Sequence, residues 1–286
     1  MTTLTSPVAG TAPRTGTTLT FPGVLRSEWI KLRSLRSTIW SYLILVVLAL
    51  GMALLMSLSF VSGGGPAGEA DAAALSSEAQ AGLLVQASTF GAFFGQLVVA
   101  VLGVLVITGE YSTGMIRSTL AAVPTRLPAL AAKAVVLFAV TFVMATISAV
   151  GAFFVASAVF AGSDVAANLL DADVILPILG SALYLGLVAL FALGVGTMLR
   201  SSAGGIATVV GVLLVLPLVL QMIPADWVAD VLPYVLSTAG VGMFSDASAA
   251  SAAAEATPFW ENLVIVLGWV GASIAGAAVL LKRRDA

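Results

Sequence analysis

Long apolar stretches alternate along the chain with short stretches that hold nearly all of its charges. A helix needs about 20 predominantly apolar residues, at about 1.5 Å of rise each, to cross a hydrocarbon layer of about 30 Å. The pattern therefore predicts an all-α integral membrane protein. Six stretches meet the length requirement: Thr38–Val61, Ala87–Thr108, Ala134–Ala161, Val174–Leu199, Gly205–Ile223 and Asn262–Leu281.

Composition supports this prediction. Of the 286 residues, 60% are hydrophobic and 9% are charged, whereas a soluble domain carries roughly 25% charged residues. This excess of apolar surface is expected to face lipid. The sequence contains no cysteine and no histidine, which excludes disulfides and the commonest metal ligand and general base.

The charges predict the orientation. If the loops alternate between the two sides of the membrane, all 12 Lys and Arg residues fall on one side, and 11 of the 14 acidic residues fall on the other. Lys and Arg are retained in the cytoplasm during insertion. We therefore expect both termini to be cytoplasmic, with residues 1–24 forming a disordered tail because they are rich in Thr, Pro and Gly.

The segment Leu25–Ile39 precedes the first span and carries an imperfect apolar stripe, which Glu28 and Arg36 interrupt. It predicts a helix lying along the inner membrane surface, with Trp29 at the headgroup level and its cations near anionic lipid. An ordinary basic anchor before a first span is the alternative.

The cytoplasmic segment Gly109–Lys133 predicts a short helix with an apolar stripe, formed by Met115, Ile116, Thr119, Leu120 and Val123. Such a stripe can dock into a groove of a cytosolic partner or lie in the membrane interface. Glu110 lies where the second span ends, and a carboxylate there is opposed by the helix dipole. We expect it to be stabilised by Arg117 or by a basic residue between Arg26 and Arg36, although a solvated Glu is the alternative.

The outer segment Pro224–Pro258 divides into two parts. Its first half is too apolar for a free loop, and Pro and Gly residues interrupt it too often for a seventh span. We expect short re-entrant or surface-lying helices there. Its second half, rich in Ser and Ala, is expected to be flexible.

No phosphate-binding GxxxxGK[ST] motif, HExxH, CxxC or GxSxG is present. The predicted spans hold essentially no ionisable residue, which argues against a proton-coupled transporter, an ion pump and an intramembrane protease. Gln96 is expected to form an interhelical hydrogen bond, as is Gln221, and the GxxxG spacing of Gly91 and Gly95 indicates close helix packing. We predict no enzymatic activity, no cofactor, no metal and no nucleic-acid partner.

Three sequence segments resemble parts of bacterial ABC transporter permeases of the type-2 exporter class. SEWIKLRSLRST before the first span is similar to the start of those permeases, and ITGEYSTGMIRSTLAAVPTRLPALAAK, residues 107–133, is similar to the region between their second and third spans. The outer stretch LPYVLSTAGVGMF resembles the helices before their last span.

The resemblance implies a six-span permease domain over residues 25–286, an interfacial helix with Glu28 and Trp29, and outer re-entrant helices over Trp227–Phe244. It also implies a coupling helix that contacts a separate ATPase subunit. By position, the contact residues are Glu110, Tyr111, Met115, Ile116, Arg117 and Leu120.

The expected function is therefore the permease of an ATP-driven exporter in the bacterial plasma membrane, acting as a homodimer on a substrate that the apolar spans suggest is amphipathic. The alternative is a membrane scaffold or sensor subunit that does not transport and that recruits cytosolic proteins through the same basic loops.

Overall fold

The computed structural model describes residues 20–64, 76–115, 127–163, 165–245 and 257–283, which are helical apart from their connections and contain no strand. We number the helices in chain order. They are α1 (Phe21–Ser34), α2 (Arg36–Ser59), α3 (Ser77–Thr89), α4 (Gly91–Ser112), α5 (Leu127–Phe160), α6 (Ala172–Leu199), α7 (Ser202–Val210), α8 (Leu216–Gln221), α9 (Asp226–Val231), α10 (Leu236–Gly242) and α11 (Phe259–Arg283).

Six apolar segments of this part of the chain are long enough to cross a membrane, which confirms the predicted fold class. They are Arg36–Gly63, Ser77–Ser112, Leu127–Phe160, Ala172–Leu199, Ser202–Gln221 and Phe259–Arg283. The second span combines α3 and α4, and a π-helical turn over Gly211–Val215 joins α7 to α8 in the fifth. The sidedness of the termini stays a prediction.

The second span begins ten residues before the predicted Ala87. Its start is Ser77, and the hydroxyl of Ser76 accepts a hydrogen bond from the amide of Ala79 at 3.3 Å. This N-cap satisfies one amide that the first helical turn leaves without a partner. The polar residues of that extension kept it out of an assignment based on hydropathy alone.

The second and fourth spans form the centre of the bundle, since most of their residues are buried, whereas about a third or fewer of the residues in the other four spans are buried. Glycines let the central helices approach one another: a methyl group at Gly103 of α4 would lie 2.5 Å from the carbonyl oxygen of Ala189 in α6. The predicted close packing at Gly91 and Gly95 is confirmed. Methyl groups there would lie 2.7 Å from Ala49 and Leu45 of α2, respectively.

Contacts between two further pairs of spans show which spans are neighbours in the bundle. The first and third spans run parallel, with Tyr42 and Thr141 in hydrogen-bond contact at 2.9 Å and the rings of Phe60 and Phe160 at 6.4 Å. The buried Gln96 accepts a hydrogen bond from Tyr184 of the fourth span. The expected interhelical hydrogen bond of Gln96 is therefore present, whereas Gln221 is exposed.

The outer segment contains the short helices α9 and α10, joined by a 3-10 turn over Leu232–Tyr234. Helix α10 is packed into the protein, because a methyl group at Gly240 would overlap the ring of Tyr184. Whether these helices re-enter the bilayer stays a prediction. The expected flexible half falls mostly on residues 246–256, which lie outside the described residues.

The predicted interfacial segment 25–39 is divided into two helices. Helix α1 ends at Ser34, Leu35 is extended with φ −78° and ψ 122°, and α2 begins at Arg36. The buried face of α1 consists of Val24, Glu28 and Leu32. Glu28, which interrupts the apolar stripe in the sequence, therefore lies on the face of α1 that packs on the bundle.

Candidate functional site

Four charged side chains form a closed ring of ion pairs at the end of the bundle where α4 ends and α5 begins. We call this end the basic end and the four residues the charge ring. Nζ of Lys133, in α5, lies 2.5 Å from Oε2 of Glu28 and 2.8 Å from Oε1 of Glu110. Nζ of Lys31, in α1, lies 2.7 Å from Oε1 of Glu28 and 3.1 Å from Oε1 of Glu110. Each carboxylate therefore contacts both ammonium groups.

The ring is largely removed from water. Glu28, Glu110 and Lys133 are 3%, 4% and 5% exposed, and the side chain of Lys31 is 26% exposed. An unpaired charge in such a place would be strongly destabilising, and geometry and mutual pairing offset that cost. Two acids and two bases leave the ring neutral, so no member is buried with an uncompensated charge.

The pKa of Lys31 follows from this environment. Partial burial lowers the pKa, but the hydrogen bond to Glu28 and the charges of Glu110 and Glu28 raise it by more. The net result is a pKa above the usual 10.5, so Lys31 is charged throughout the physiological range.

Local helix geometry explains why the ring forms. Glu28 and Lys31 are three residues apart on α1 and share one face, and Val24, one turn earlier, packs on Ala129 and Ala132 of α5. Lys133 follows Ala132 directly. Apolar packing between α1 and α5 thus brings Lys133 to Glu28.

The last two turns of α4 connect to a second group of residues beyond the ring. The guanidinium of Arg200, directly after α6, lies 5.2 Å from the centre of the Tyr111 ring. The hydroxyl of Ser202, at the start of α7, donates to the hydroxyl of Thr108 at 2.8 Å. Residues 108–111 therefore contact α1, α5 and the connection between the fourth and fifth spans.

The structure locates part of the predicted contact set. Glu110 is buried in the charge ring, and the expectation of a basic partner between Arg26 and Arg36 is confirmed by Lys31.

Met115 is 40% exposed and Trp29 is 47% exposed. Three further predicted residues, Ile116, Arg117 and Leu120, lie outside the described residues, and no finding tests the predicted ATPase contact itself.

Sequence reasoning did not identify Lys133 or Arg200 as members of this site. In the sequence, both count only among the 12 Lys and Arg residues of the basic side. The sequence carried a signal only for the two acids of the ring, because Glu28 and Glu110 are two of only three acids on the basic side of the predicted topology.

The arrangement is suited to holding helices together. Both carboxylates are occupied by lysines, and among the described residues no group of three or more acidic residues could hold a metal ion. Oε2 of Glu110 is buried without a hydrogen-bond partner among those residues.

The comparisons with known proteins agree with this reading of the fold. No protein with a curated function matches the chain. The family described as ABC-2 family transporter protein matches it over residues 23–286, which include all six spans, the charge ring and the outer helices. The chain therefore belongs to the ABC-2 family of transporter proteins and is a permease component of an ABC transporter.

Proposed function

We propose that the chain is one half of an ATP-driven exporter in the bacterial plasma membrane, with cytoplasmic termini and a second identical copy completing the path. A separate ATPase subunit would contact the segment Gly109–Lys133. ATP binding would draw the ATPases together, this segment would move with them, and the spans would open outward. The observation that carries the proposal is the charge ring, because it clamps the two ends of this segment.

The clamp makes the segment a suitable point for applying force. Glu110 lies shortly before the stretch 113–126 and Lys133 shortly after it, and their 2.8 Å contact joins the second span to the third. Glu28 and Lys31 add α1, which leads into the first span. A displacement of the stretch is then shared by three spans at once and is not absorbed by one loop.

The spans suggest the kind of substrate. The six predicted segments contain essentially no ionisable side chain, and the first, third, fifth and sixth spans expose apolar side chains along most of their length. Apolar walls would suit an amphipathic, lipid-like molecule passing between two copies.

Co-purification with the ATPase encoded beside this gene tests the proposal. Tagged wild-type chain in mild detergent is expected to retain an active ATPase, and simultaneous replacement of Met115, Ile116 and Leu120 by Ala is expected to release it. Glu110 is left unchanged because its loss would disturb the charge ring.

A matched control replaces three exposed apolar residues of the first span, Leu43, Ile44 and Val47, by Ala. This variant should retain the ATPase as the wild type does. If the wild type retains no ATPase but does retain another cytosolic protein, the scaffold alternative is favoured. Mixing two differently tagged copies before membrane extraction and purifying on one tag tests the homodimer.

A further inference from the structure

Arg200 has an unusual backbone conformation. With φ 53° and ψ 17° it is left-handed, and it is the only residue other than glycine with a positive φ in the described ranges. Its amide donates to the carbonyl of Gly196 at 3.0 Å and so closes the end of α6. Glycine or asparagine usually occupies this position in a helix terminus, because a larger side chain is strained there.

The side chain supplies a reason for an arginine at this point. Its guanidinium lies 5.2 Å from the centre of the Tyr111 ring, within the range of about 6 Å that a cation–π contact requires. The left-handed turn aims the chain so that the side chain of Arg200 meets α4 while Ser202 starts the fifth span. Strain at a single residue that is held by its surroundings is characteristic of functional positions.

A second contact joins the same two elements. Ser202 donates to Thr108 at 2.8 Å, one turn before Tyr111. Close packing supports the pair, since a methyl group at Gly205 would lie 2.6 Å from Val104. The start of the fifth span is therefore attached to the last turns of α4, on the side that the charge ring does not reach.

We propose that Arg200 is a positioning residue that transmits movement of the ATPase-contacting segment to the fifth span. The charge ring carries that movement to the first and third spans, whereas the Arg200–Tyr111 contact carries it to the fifth. This inference rests on the proposed function, because it takes the segment after Ser112 as the part that moves.

The absence of cysteine allows the two routes to be followed separately. One set of variants carries Leu218→Cys in the fifth span, and a second set carries Val143→Cys in the third. These side chains are 56% and 52% exposed, so an environment-sensitive label should be tolerated at either position. The labelled chain is assembled with its ATPase in lipid nanodiscs, and the label signal is compared before and after addition of ATP and vanadate.

Wild-type protein is expected to give an ATP-dependent signal change at both positions. Arg200→Asn should reduce the change at position 218 about two- to fivefold, the factor that a modest cation–π contact corresponds to, and leave position 143 unchanged. Tyr111→Leu should act like Arg200→Asn in a complex that still retains its ATPase.

If Arg200 had a purely structural role, Arg200→Asn would lower the melting temperature of the protein. Asparagine tolerates the left-handed conformation better than arginine does, so the melting temperature of Arg200→Asn should equal or exceed that of the wild type. If the response at position 218 is unchanged in a complex that hydrolyses ATP, this inference is overturned alone. Failure of the wild type to retain any ATPase would overturn the proposed function as well.

Discussion

The two ends of the bundle hold their peripheral helices by different physical means. At the basic end, α1 is attached through Glu28 and Lys31, whose charges meet Glu110 and Lys133 at 2.5–3.1 Å. At the opposite end, α10 is attached through the absence of a side chain, since Gly240 lies directly against the ring of Tyr184.

These attachments respond differently to displacement. The attraction between charges decreases only as the inverse of their separation, so the members of the charge ring still attract one another after an ångström of lengthening, even though their hydrogen bonds are then broken. Van der Waals contact loses a quarter to a half of its energy over a gap of about 0.5–1 Å. The basic end is thus the better place to receive a movement, and the glycine contacts are better suited to keeping one arrangement fixed.

Removing one charge from the ring should have the largest effect. Lys133→Met leaves Glu28 and Glu110 buried with only Lys31 to compensate them, and breaking a buried ion pair in this way costs about 3–5 kcal/mol. Thermal unfolding of the purified chain in detergent measures this loss. A melting temperature equal to that of the wild type would contradict the burial of the ring.

Lys31→Met is the matched control for that variant. Its cost should be smaller, because the side chain of Lys31 is 26% exposed and that of Lys133 is 6% exposed. The pKa of Lys31 is raised on folding, so its contribution to stability is complete below the unfolded pKa of about 10.5 and is lost as pH rises through the higher folded pKa. The difference between wild type and Lys31→Met should therefore be constant from pH 7 to 9 and shrink in stronger alkali.

A methyl group added at the opposite end should have the next largest effect. In Gly240→Ala the new Cβ overlaps Tyr184, and Tyr184 cannot retreat because it is fully buried. Overpacking of this kind costs about 1–3 kcal/mol. Gly268→Ala in α11 is the control, since its Cβ would meet nothing within 4 Å. Equal melting temperatures for the two variants would show that α10 is not seated on Tyr184.

The sequence predicts more about the contacts at the basic end than about those at the opposite end. The need of Glu110 for a cation could be inferred, because a carboxylate at a helix C-terminus is opposed by the helix dipole. Lys31 was within the expected range, but Lys133 could not be chosen, since a linear pattern does not say which helices are neighbours. The choice depends on the packing of Val24 against Ala129, a contact 105 residues apart in sequence.

Glycine spacing was informative in the same limited way. The repeat at Gly91 and Gly95 correctly indicated close packing, but it did not identify α2 as the neighbour. Gly240 gave no signal, because it lies in a segment interrupted by proline and too short for a span. Arg200 gave none either, since the predicted end of the fourth span at Leu199 does not say which backbone conformation the next residue adopts.

The hydrogen bond between Tyr42 and Thr141 tests whether an uncharged contact within the bundle holds the first and third spans as the ring does. Both residues are buried, and their hydroxyl oxygens are 2.9 Å apart. Hydrogen bonds between membrane helices average about 0.6 kcal/mol in double-mutant cycles. We expect a coupling of this size from Tyr42→Phe, Thr141→Val and the double variant, measured by unfolding in detergent.

A coupling above about 2 kcal/mol would exceed the largest value known for such contacts and would mean that the first and third spans are held along their length. A value near 0.6 kcal/mol leaves the charge ring as the stronger connection between them, so that a force applied at the basic end reaches both spans through Lys133.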